Sequence, residues 1–267
     1  MRVRIVFGLT NKGASVPFHH QFLLSGLVNS VMDRHRMEFP DFDLYNFSGL
    51  KGQTKVGKEG LHFYSNKVTL VFSSPNERYI EVFVKALFKM PQVEIGKLLL
   101  VPLTVEKEAE PQLGSEVKFI CISPLVIINP EEKGSDPKKF ISPSTDTFSD
   151  LLYESTMSRM EKSNRYTADE IASFYKFQIV PDKDYLTKIR EEEKKFARIF
   201  PVFHKAEKYE VRGYTFPFTL YADPKVQQFV FDCGLGFYAF KGFGMLDIAN
   251  ADPNQRTTPF NFSDDVL

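Results

Sequence analysis

The order of hydrophobic patterns along the first 110 residues constrains the fold of this chain more than any other feature. Near the start, Val3, Ile5 and Phe7 alternate with other residues, which is typical of a strand with one buried face. Two later segments carry apolar residues three and four positions apart, the spacing of a helix with one buried stripe. We predict strands at residues 2–9, 44–47, 61–72 and 93–106, and helices at residues 17–34 and 75–90. The order β-α-β-β-α-β predicts a ferredoxin-like (RRM-like) domain.

The second half of the chain repeats this order of elements without repeating the sequence. The polar segment 108–114 contains both Pro and Gly, so we predict a linker there. Beyond it we predict strands at 117–123, 173–180, 194–204, 208–221 and 243–248, and helices at 147–162 and after Asp223. The predicted fold class is α+β, with two tandem ferredoxin-like domains at residues 1–110 and 115–250. Residues 251–267 are predicted to be a polar, loosely held tail.

Charge and cysteine content limit the possible functions. The 34 Lys and Arg residues equal the 34 Asp and Glu residues, so a general binder of polyanions is excluded and any nucleic-acid site is a local patch. Cys121 and Cys233 are far apart, and the five His residues do not cluster with carboxylates at metal-ligand spacing. We therefore expect no metal and no cofactor. No signal peptide and no run of about 18 apolar residues is recognisable, so we expect a cytoplasmic protein with no membrane partner.

A glycine-rich segment, residues 234–244, lies between the last predicted helix and the last predicted strand. Glycine lets a backbone approach a phosphate and present its N–H groups, and Lys241 adds a positive charge. The alternative, that the glycines serve only a tight helix-to-strand turn, stays open on spacing alone. A dinucleotide fingerprint would open a helix and a P-loop would read Gly-Lys-Ser/Thr, so both nucleotide motifs are excluded. The candidate phosphate-binding residues are Gly234, Gly236, Lys241, Gly242 and Gly244.

Three stretches together resemble one protein family. They are residues 16–28 (VPFHHQFLLSGLV), residues 209–218 (YEVRGYTFPF) leading into Asp223-Pro224, and residues 234–245 (GLGFYAFKGFGM). In this order they resemble the CRISPR-associated RAMP superfamily, and within it the endoribonucleases that cut CRISPR precursor RNA in its repeats. The resemblance covers nearly the whole chain.

The resemblance implies a function and partners. Similar proteins cleave repeat RNA without metal: a 2′-hydroxyl attacks the adjacent phosphate, leaving a 2′,3′-cyclic phosphate and a 5′-hydroxyl. The alternative is a non-catalytic RNA-binding RAMP subunit that holds guide RNA in an effector complex. A generic RNA-binding protein outside CRISPR systems is a third reading. The expected partner is CRISPR repeat RNA, while other CRISPR-associated proteins and a second copy of the chain are left open.

Catalytic residues are suggested mainly by the resemblance, which expects a histidine after the first helix. His35 lies there, and the flanking Arg34 and Arg36 would attract phosphate and favour a neutral imidazole. The alternative is a solvated charge run at the end of a helix. Asn29 stands where some relatives carry an assisting tyrosine, so we suggest Tyr45 or Lys51 as its substitute.

Further RNA-binding candidates lie outside the catalytic segment. His20 matches a His-Gln pair of the family, and we expect a structural or RNA-orienting role for it. Lys51, Lys55 and Lys58 lie on a glycine-containing hairpin that could contact phosphates, although an ordinary solvated hairpin tip explains them equally well. Arg212, within the Arg-Gly-Tyr strand, completes the predicted RNA-binding set.

Overall fold

A computed structural model of the chain describes residues 1–128, 136–204, 207–252 and 257–261. The chain divides into two compact units. The first comprises Met1–Glu110, Phe240–Gly242 and Asp252–Leu267, and the second comprises Pro111–Ala239 and Phe243–Ala251. Both contain helices and strands, so the predicted α+β class is confirmed. Within the described residues, no helix has the length and apolar character needed to cross a membrane.

The first unit is an antiparallel sheet with two helices. Its strands are β1 (Arg2–Leu9), β2 (Ser15–Val16), β3 (Asn46–Phe47), β4 (Thr54–Val56), β5 (Leu61–Phe63), β6 (Lys67–Ser73), β7 (Val93–Ile95) and β8 (Leu98–Glu108). Its helices are α1 (Gln21–Met32), continued by a 3₁₀ turn at Asp33–His35, and α2 (Glu77–Phe88). β1 is central, between β6 and β8. Strands β2, β5 and β4 form a separate small sheet.

Most predicted elements of this unit exist, but several boundaries differ. The first helix begins at Gln21 and not at residue 17, because residues 15–16 pair with β5 as a short strand. The predicted strand 61–72 is two strands, β5 and β6, which belong to different sheets. The predicted strand 93–106 is a hairpin of β7 and β8.

The start of α2 shows how side-chain hydrogen bonds set a helix boundary. The cap is Asn76, whose side-chain oxygen accepts a hydrogen bond from the backbone N–H of Tyr79 at 3.1 Å. Ser74 does not cap the helix, because its hydroxyl donates to the Leu44 carbonyl at 2.7 Å. The helix therefore begins at Glu77, two residues later than predicted.

The second unit contains two sheets. Its strands are β9 (Glu116–Cys121), β10 (Leu125–Val126), β11 (Phe177–Pro181), β12 (Ala197–His204), β13 (Glu207–Tyr214), β14 (Phe218–Ala222) and β15 (Leu246–Ile248). Its helices are α3 (Asp146–Lys162), α4 (Ala168–Ser173), α5 (Lys183–Glu191) and α6 (Pro224–Cys233), with a 3₁₀ turn at Ala239–Lys241 in the segment that follows α6. The sheet orders are β11-β14-β9-β15 and β10-β13-β12.

Three predictions for the second half of the chain are corrected. The strand predicted at 208–221 is divided between β13 and β14, which lie in different sheets. The strand predicted at 173–180 begins only at Phe177, because Ser173 ends α4. The solvated stretch predicted at 182–195 contains α5, an amphipathic helix that has no buried residue. Asp182 caps this helix.

The polar tail is not loosely held throughout. Thr257–Pro259 form a strand, β16, that pairs with β8 at the edge of the first unit's sheet, with Thr257 opposite Glu108. Residues 253–256 and 262–267 of the predicted tail lie outside the described residues. An added strand covers the otherwise open edge of β8.

Candidate functional site

His35 lies at the end of the first helix, between two cavities of the first unit. His35 lies on the 3₁₀ turn that continues α1, and its side chain is 36% exposed. On one side is a hollow of about 420 Å³, which we call the aromatic hollow; its lining includes Asn29, His35, Arg36, Tyr45 and Tyr79. On the other side is a groove of about 470 Å³ between α1 and α2, which we call the helix groove; its lining includes Arg34, His35, Arg78, Lys85 and Lys89.

The charges around His35 differ from the sequence-based expectation. Arg36 pairs with Asp33, with Nε 2.9 Å from Oδ1, and lines the aromatic hollow with His35. A carboxylate lies on the other side, because Glu38 Oε2 is 3.9 Å from His35 Nδ1. Arg34 is exposed and lines the helix groove. Both signs of charge therefore lie near the imidazole, whereas the sequence analysis considered only the two flanking arginines.

Tyr45 lines the aromatic hollow but is only 4% exposed. Its ring stacks on Tyr79 at a centroid distance of 5.2 Å and on Phe72 at 5.7 Å. Burial raises the pKa of Tyr45 to about 12, and a hydrogen bond joins its side chain to Tyr79. Burial also raises the pKa of Tyr79. A neutral phenol can donate a hydrogen bond into the hollow, but it cannot act as a base near neutral pH.

The three hairpin lysines do not join His35 at either cavity. Lys51 exchanges backbone hydrogen bonds with Thr69, both 2.9 Å long, and lines neither cavity. Lys55 and Lys58 are exposed, and Lys55 Nζ lies 5.2 Å from the centre of the Tyr64 ring. The lysines and Tyr64 thus form a basic hairpin with an exposed aromatic side chain.

His20 is buried, which corrects its place among the predicted RNA contacts. It is 4% exposed, and burial is the main cause that lowers its pKa. Nδ1 lies 3.2 Å from the Pro17 carbonyl, and Nε2 accepts a hydrogen bond from the backbone N–H of Leu50 at 3.1 Å. Because both nitrogens are engaged inside the protein, the side chain fastens the start of α1 to the hairpin and has no nitrogen left for RNA.

The glycine-rich segment directs several backbone N–H groups inward. Leu235 donates to Gly244, Phe237 to Val126 and Gly244 to Pro124, at 2.7–2.9 Å. Gly234, Gly236, Gly242 and Gly244 are buried with φ between 70° and 84°, where side chains other than glycine are strained. These glycines are required by turn geometry and close packing. Of these four glycines, Gly244 already donates its N–H within the protein, so the expectation that it presents this group to a phosphate is wrong at that position.

Arg159 is a positioning residue that the sequence does not reveal. From α3, its Nη2 donates to the Cys233 carbonyl at 2.6 Å and its Nη1 to the Gly234 carbonyl at 2.7 Å. Its guanidinium also lies 5.4 Å from the centre of the Phe229 ring. The last carbonyls of α6 thereby gain partners at the helix end where a cation is favoured. The only sign of this role in the sequence is that a charged residue, Arg159, stands next to Met160, which is buried.

Two predicted RNA-binding cations have different surroundings. Lys241 is half-buried on the glycine-rich segment, burial lowers its pKa, and Nζ lies 5.3 Å from the centre of the Phe240 ring. Arg212 instead donates from Nε to the Lys138 carbonyl at 2.6 Å and lies 5.8 Å from the Phe140 ring centre. Its main observed role is therefore to fasten the neighbouring loop.

Potential metal ligands do not gather in this site. Across the described ranges, no group of three or more His, Cys, Asp or Glu side chains is arranged to hold a metal ion. Neither cysteine forms a disulfide in the part of the chain that the structure describes: Cys121 is partly exposed and Cys233 is buried. Burial raises the pKa of both thiols to about 12.

Comparisons with known proteins bear on the family. The model for CRISPR associated protein Cas6, C-terminal, matches residues 106–248, more than half of the chain. CRISPR-associated endoribonuclease Cas6 1 of Methanocaldococcus jannaschii is 24% identical over 258 residues, with 92% of each chain covered. The CRISPR-associated endoribonuclease-like protein Cas6nc of Pyrococcus horikoshii is 22% identical over 198 residues, covering 71% of this chain and 72% of its own.

Solved structures bear on the fold. A structure of a Cas6-related gene product from Pyrococcus furiosus has a TM-score of 0.74 at 17% identity, covering 94% of this chain and 99% of its own. A RAMP protein described as binding different RNA substrates has a TM-score of 0.74 at 18% identity, covering 94% and 100%. The prediction of two ferredoxin-like halves is confirmed by these similarities. By its sequence and its fold, this chain belongs to the Cas6 family of CRISPR-associated proteins.

Proposed function

We propose that this chain is an endoribonuclease that cleaves CRISPR precursor RNA within its repeats, and that His35 transfers protons in the reaction. The observation that carries the proposal is the position of His35. It is a partly exposed imidazole between a hollow large enough for a nucleotide-sized group and a groove lined by cations. An imidazole can give or accept a proton near neutral pH, which RNA cleavage by an internal hydroxyl requires at two atoms.

The proposed reaction is a transesterification that needs no metal. The 2′-oxygen loses its proton to a base and forms a bond to the adjacent phosphorus, while the bond from phosphorus to the 5′-oxygen breaks. The departing 5′-oxygen takes a proton from an acid, so the products are a 2′,3′-cyclic phosphate and a 5′-hydroxyl. His35 supplies one of the two proton transfers, and Arg34 and Arg36 stabilise charge on the phosphorane. Tyr45 stays protonated and acts only as a hydrogen-bond donor.

RNA affinity is proposed to come from separate basic positions. Lys55 and Lys58 on the hairpin contact phosphates, and Tyr64 beside them offers a ring for base stacking. Lys241 is half-buried beside an aromatic ring, so an RNA phosphate would give its ammonium group an oppositely charged partner. Lys51 is proposed to assist as an additional cation on the hairpin. We place the reaction in the cytoplasm, with other CRISPR-associated proteins or a second copy of the chain as further partners.

A second candidate function is RNA binding without cleavage. Asn29 lines the aromatic hollow with His35, at the position where the resemblance expects a tyrosine. An amide cannot exchange a proton near neutral pH, so Asn29 cannot supply the second of the two proton transfers. This candidate keeps the RNA site and the family but removes the reaction.

Cleavage of a cognate repeat RNA in EDTA tests the first candidate. We expect specific cuts ending in cyclic phosphate, and a loss of about 10²–10⁴ in single-turnover rate in His35→Ala, the usual contribution of an acid–base group. His19→Ala, another partly buried histidine, is the matched control and keeps the wild-type rate. Binding without cutting would favour the second candidate. Cutting that survives in His35→Ala would show that another residue transfers the proton.

A gain of activity in Asn29→Tyr would separate the two candidates further. If the missing hydroxyl limits the rate, Asn29→Tyr raises the single-turnover rate at least about tenfold, a modest acid–base contribution. Asn29→Phe supplies the same ring without the hydroxyl and stays at the wild-type rate. Equal rates in the two variants would show that the hollow does not lack this group.

A further inference from the structure

The helix groove has a one-sided charge pattern. No Asp or Glu is among its lining residues, and five of them are Arg, Lys or His: Arg34, His35, Arg78, Lys85 and Lys89. The other five lining residues are Ser30, Val31, Val82, Ala86 and Met90. Apolar side chains form part of the groove surface and do not compete for an anion. A polyanion, and not an apolar helix or a cationic peptide, is the occupant with complementary charge.

The basic residues of the helix groove are spread along its length. Arg78, Lys85 and Lys89 lie on one stripe of α2 and its C-terminal end, with Val82 and Ala86 between them. Eleven residues of helix span about 16 Å, so the cations are spread along the groove and not gathered at one point. A single small anion would meet only part of this surface.

The exposure and the ion pairs of each basic residue bear on whether it would contact an anion directly. Arg78 pairs with Glu38 at 3.0 Å and with Glu81 at 3.9 Å, so its charge is partly compensated. Lys89 is exposed beyond the last residue of α2, and Arg34 is exposed on the 3₁₀ turn. Lys85 is half-buried between them along the groove. We expect Lys85 and Lys89 to supply contacts beyond the reach of His35, because both line the groove on the side of α2.

We propose that the helix groove holds the RNA strand adjacent to the cleaved phosphate, a contact surface separate from the hairpin and the glycine-rich segment. The inference rests on the proposed function, because His35 belongs to both the groove and the aromatic hollow. A strand whose reacting phosphate lies at His35 must leave that position on at least one side. The groove offers it a continuous cationic path, with its phosphates facing Lys85 and Lys89.

The salt dependence of RNA binding tests this proposal. In single strands, each phosphate contact contributes a slope of about −0.7 to log K against log salt. Removing two contacts in Lys85→Gln/Lys89→Gln should reduce the slope by about 1.4. Raising salt from about 50 to about 200 mM would then weaken wild-type binding about sevenfold more than binding by the variant. Binding is measured with the repeat RNA carrying 2′-deoxyribose at the mapped cut position, or with unmodified RNA if the chain does not cut.

Two control variants make the result specific. Lys183→Gln/Lys188→Gln removes the same charge from exposed positions of α5, and should keep the wild-type slope. Lys85→Arg/Lys89→Arg keeps the charge and should also keep the slope. An unchanged slope in the glutamine variant, or an equal change in the α5 variant, would overturn the groove proposal even if cleavage is normal. Wild-type binding without any cutting would instead remove the proposed reaction and leave the groove result to be judged by itself.

A competing occupant has a distinct outcome. If the groove binds a free anion, inorganic phosphate at millimolar concentration should stabilise the wild type against heat but not the glutamine variant, while the RNA slopes of the two agree. That combination would overturn the RNA assignment. The expected result is the reverse: the RNA slopes differ, and phosphate has the same small effect on both proteins.

Discussion

Replacement of Arg159 by methionine should test how the glycine-rich segment is held. The change keeps a long side chain against Phe229 but removes the two short hydrogen bonds to the Cys233 and Gly234 carbonyls, of 2.6 and 2.7 Å. A hydrogen bond to a charged group contributes about 1.5–3 kcal/mol, so two of them amount to about 3–6 kcal/mol. Because the end of α6 is buried, water cannot readily replace the lost partner. We expect the free energy of unfolding to fall by about this amount.

Urea unfolding followed by circular dichroism measures the effect. Arg198→Met, at an exposed position of β12, is the matched control and should change the free energy of unfolding by less than about 0.5 kcal/mol. Arg159→Lys keeps the charge but cannot present a planar fork to two carbonyls, so we expect it to lie between the wild type and Arg159→Met. A methionine variant as stable as the control would refute the assignment of Arg159 as the cap of α6.

Four further substitutions have expected outcomes. Gly242→Ala, at φ +83° and against the Phe47 ring, should destabilise the fold by about 1–3 kcal/mol in urea unfolding, whereas Gly26→Ala, in open space within α1, should stabilise it by up to about 1 kcal/mol. Glu108→Gln should cost about 3–5 kcal/mol in the same assay, because it leaves two buried arginines, at 2.6 and 3.2 Å, without their carboxylate; a loss below about 1 kcal/mol would contradict this. Because the folded-state pKa of His20 is lowered, the unfolded state binds more protons and stability should fall as pH drops below about 6.5. His20→Gln should flatten the stability profile between about pH 7 and 5, and a profile unchanged by the substitution would contradict the role of His20.

The sequence predicts a helix or strand well where the spacing of its apolar residues determines which side chains are buried. In the first helix, four apolar residues have the spacing of one buried face, and their side chains are all at most 9% exposed: Leu24, Leu27, Val28 and Val31. Strand β1 agrees at Val3, Ile5 and Phe7, but its other face is buried too, because Arg2 and Arg4 pair with Glu108 inside the protein. At the apolar positions the local pattern and the tertiary packing require the same residues, so sequence alone is sufficient for them.

Prediction is weaker where tertiary contacts choose between local alternatives. The pattern of residues 61–72 predicts one strand, yet β5 and β6 within it pair in different sheets. Hydrophobic periodicity cannot indicate which sheet a strand joins. Ser74 has the local sequence of a helix cap, but the Leu44 carbonyl takes its hydroxyl. Likewise, nothing near Arg159 in sequence shows that its partners are about 75 residues away in the chain.

The candidate site was predictable in its residue types but not in its arrangement. His35 was suggested by the position of a histidine after the first helix, and the structure places it beside Asn29 and Tyr45 in one hollow. Lys51 is suggested only as a substitute for the missing tyrosine and as a cation of the hairpin, and its side chain lines neither cavity. The Glu38 carboxylate near His35 was missed because an i,i+3 neighbour beyond a helix end depends on the turn that the chain takes there.

The glycine-rich segment shows why a motif cannot assign a ligand by composition alone. A backbone that must pack against Val126 or Leu235 needs glycine for the same steric reason as one that must approach a phosphate. The N–H groups distinguish the two, and those of Leu235, Phe237 and Gly244 already have protein acceptors. The RNA affinity of this segment should therefore depend on the ammonium group of Lys241 more than on its backbone. Consequently Lys241→Gln should weaken RNA binding at unchanged stability, whereas a glycine substitution should reduce both together.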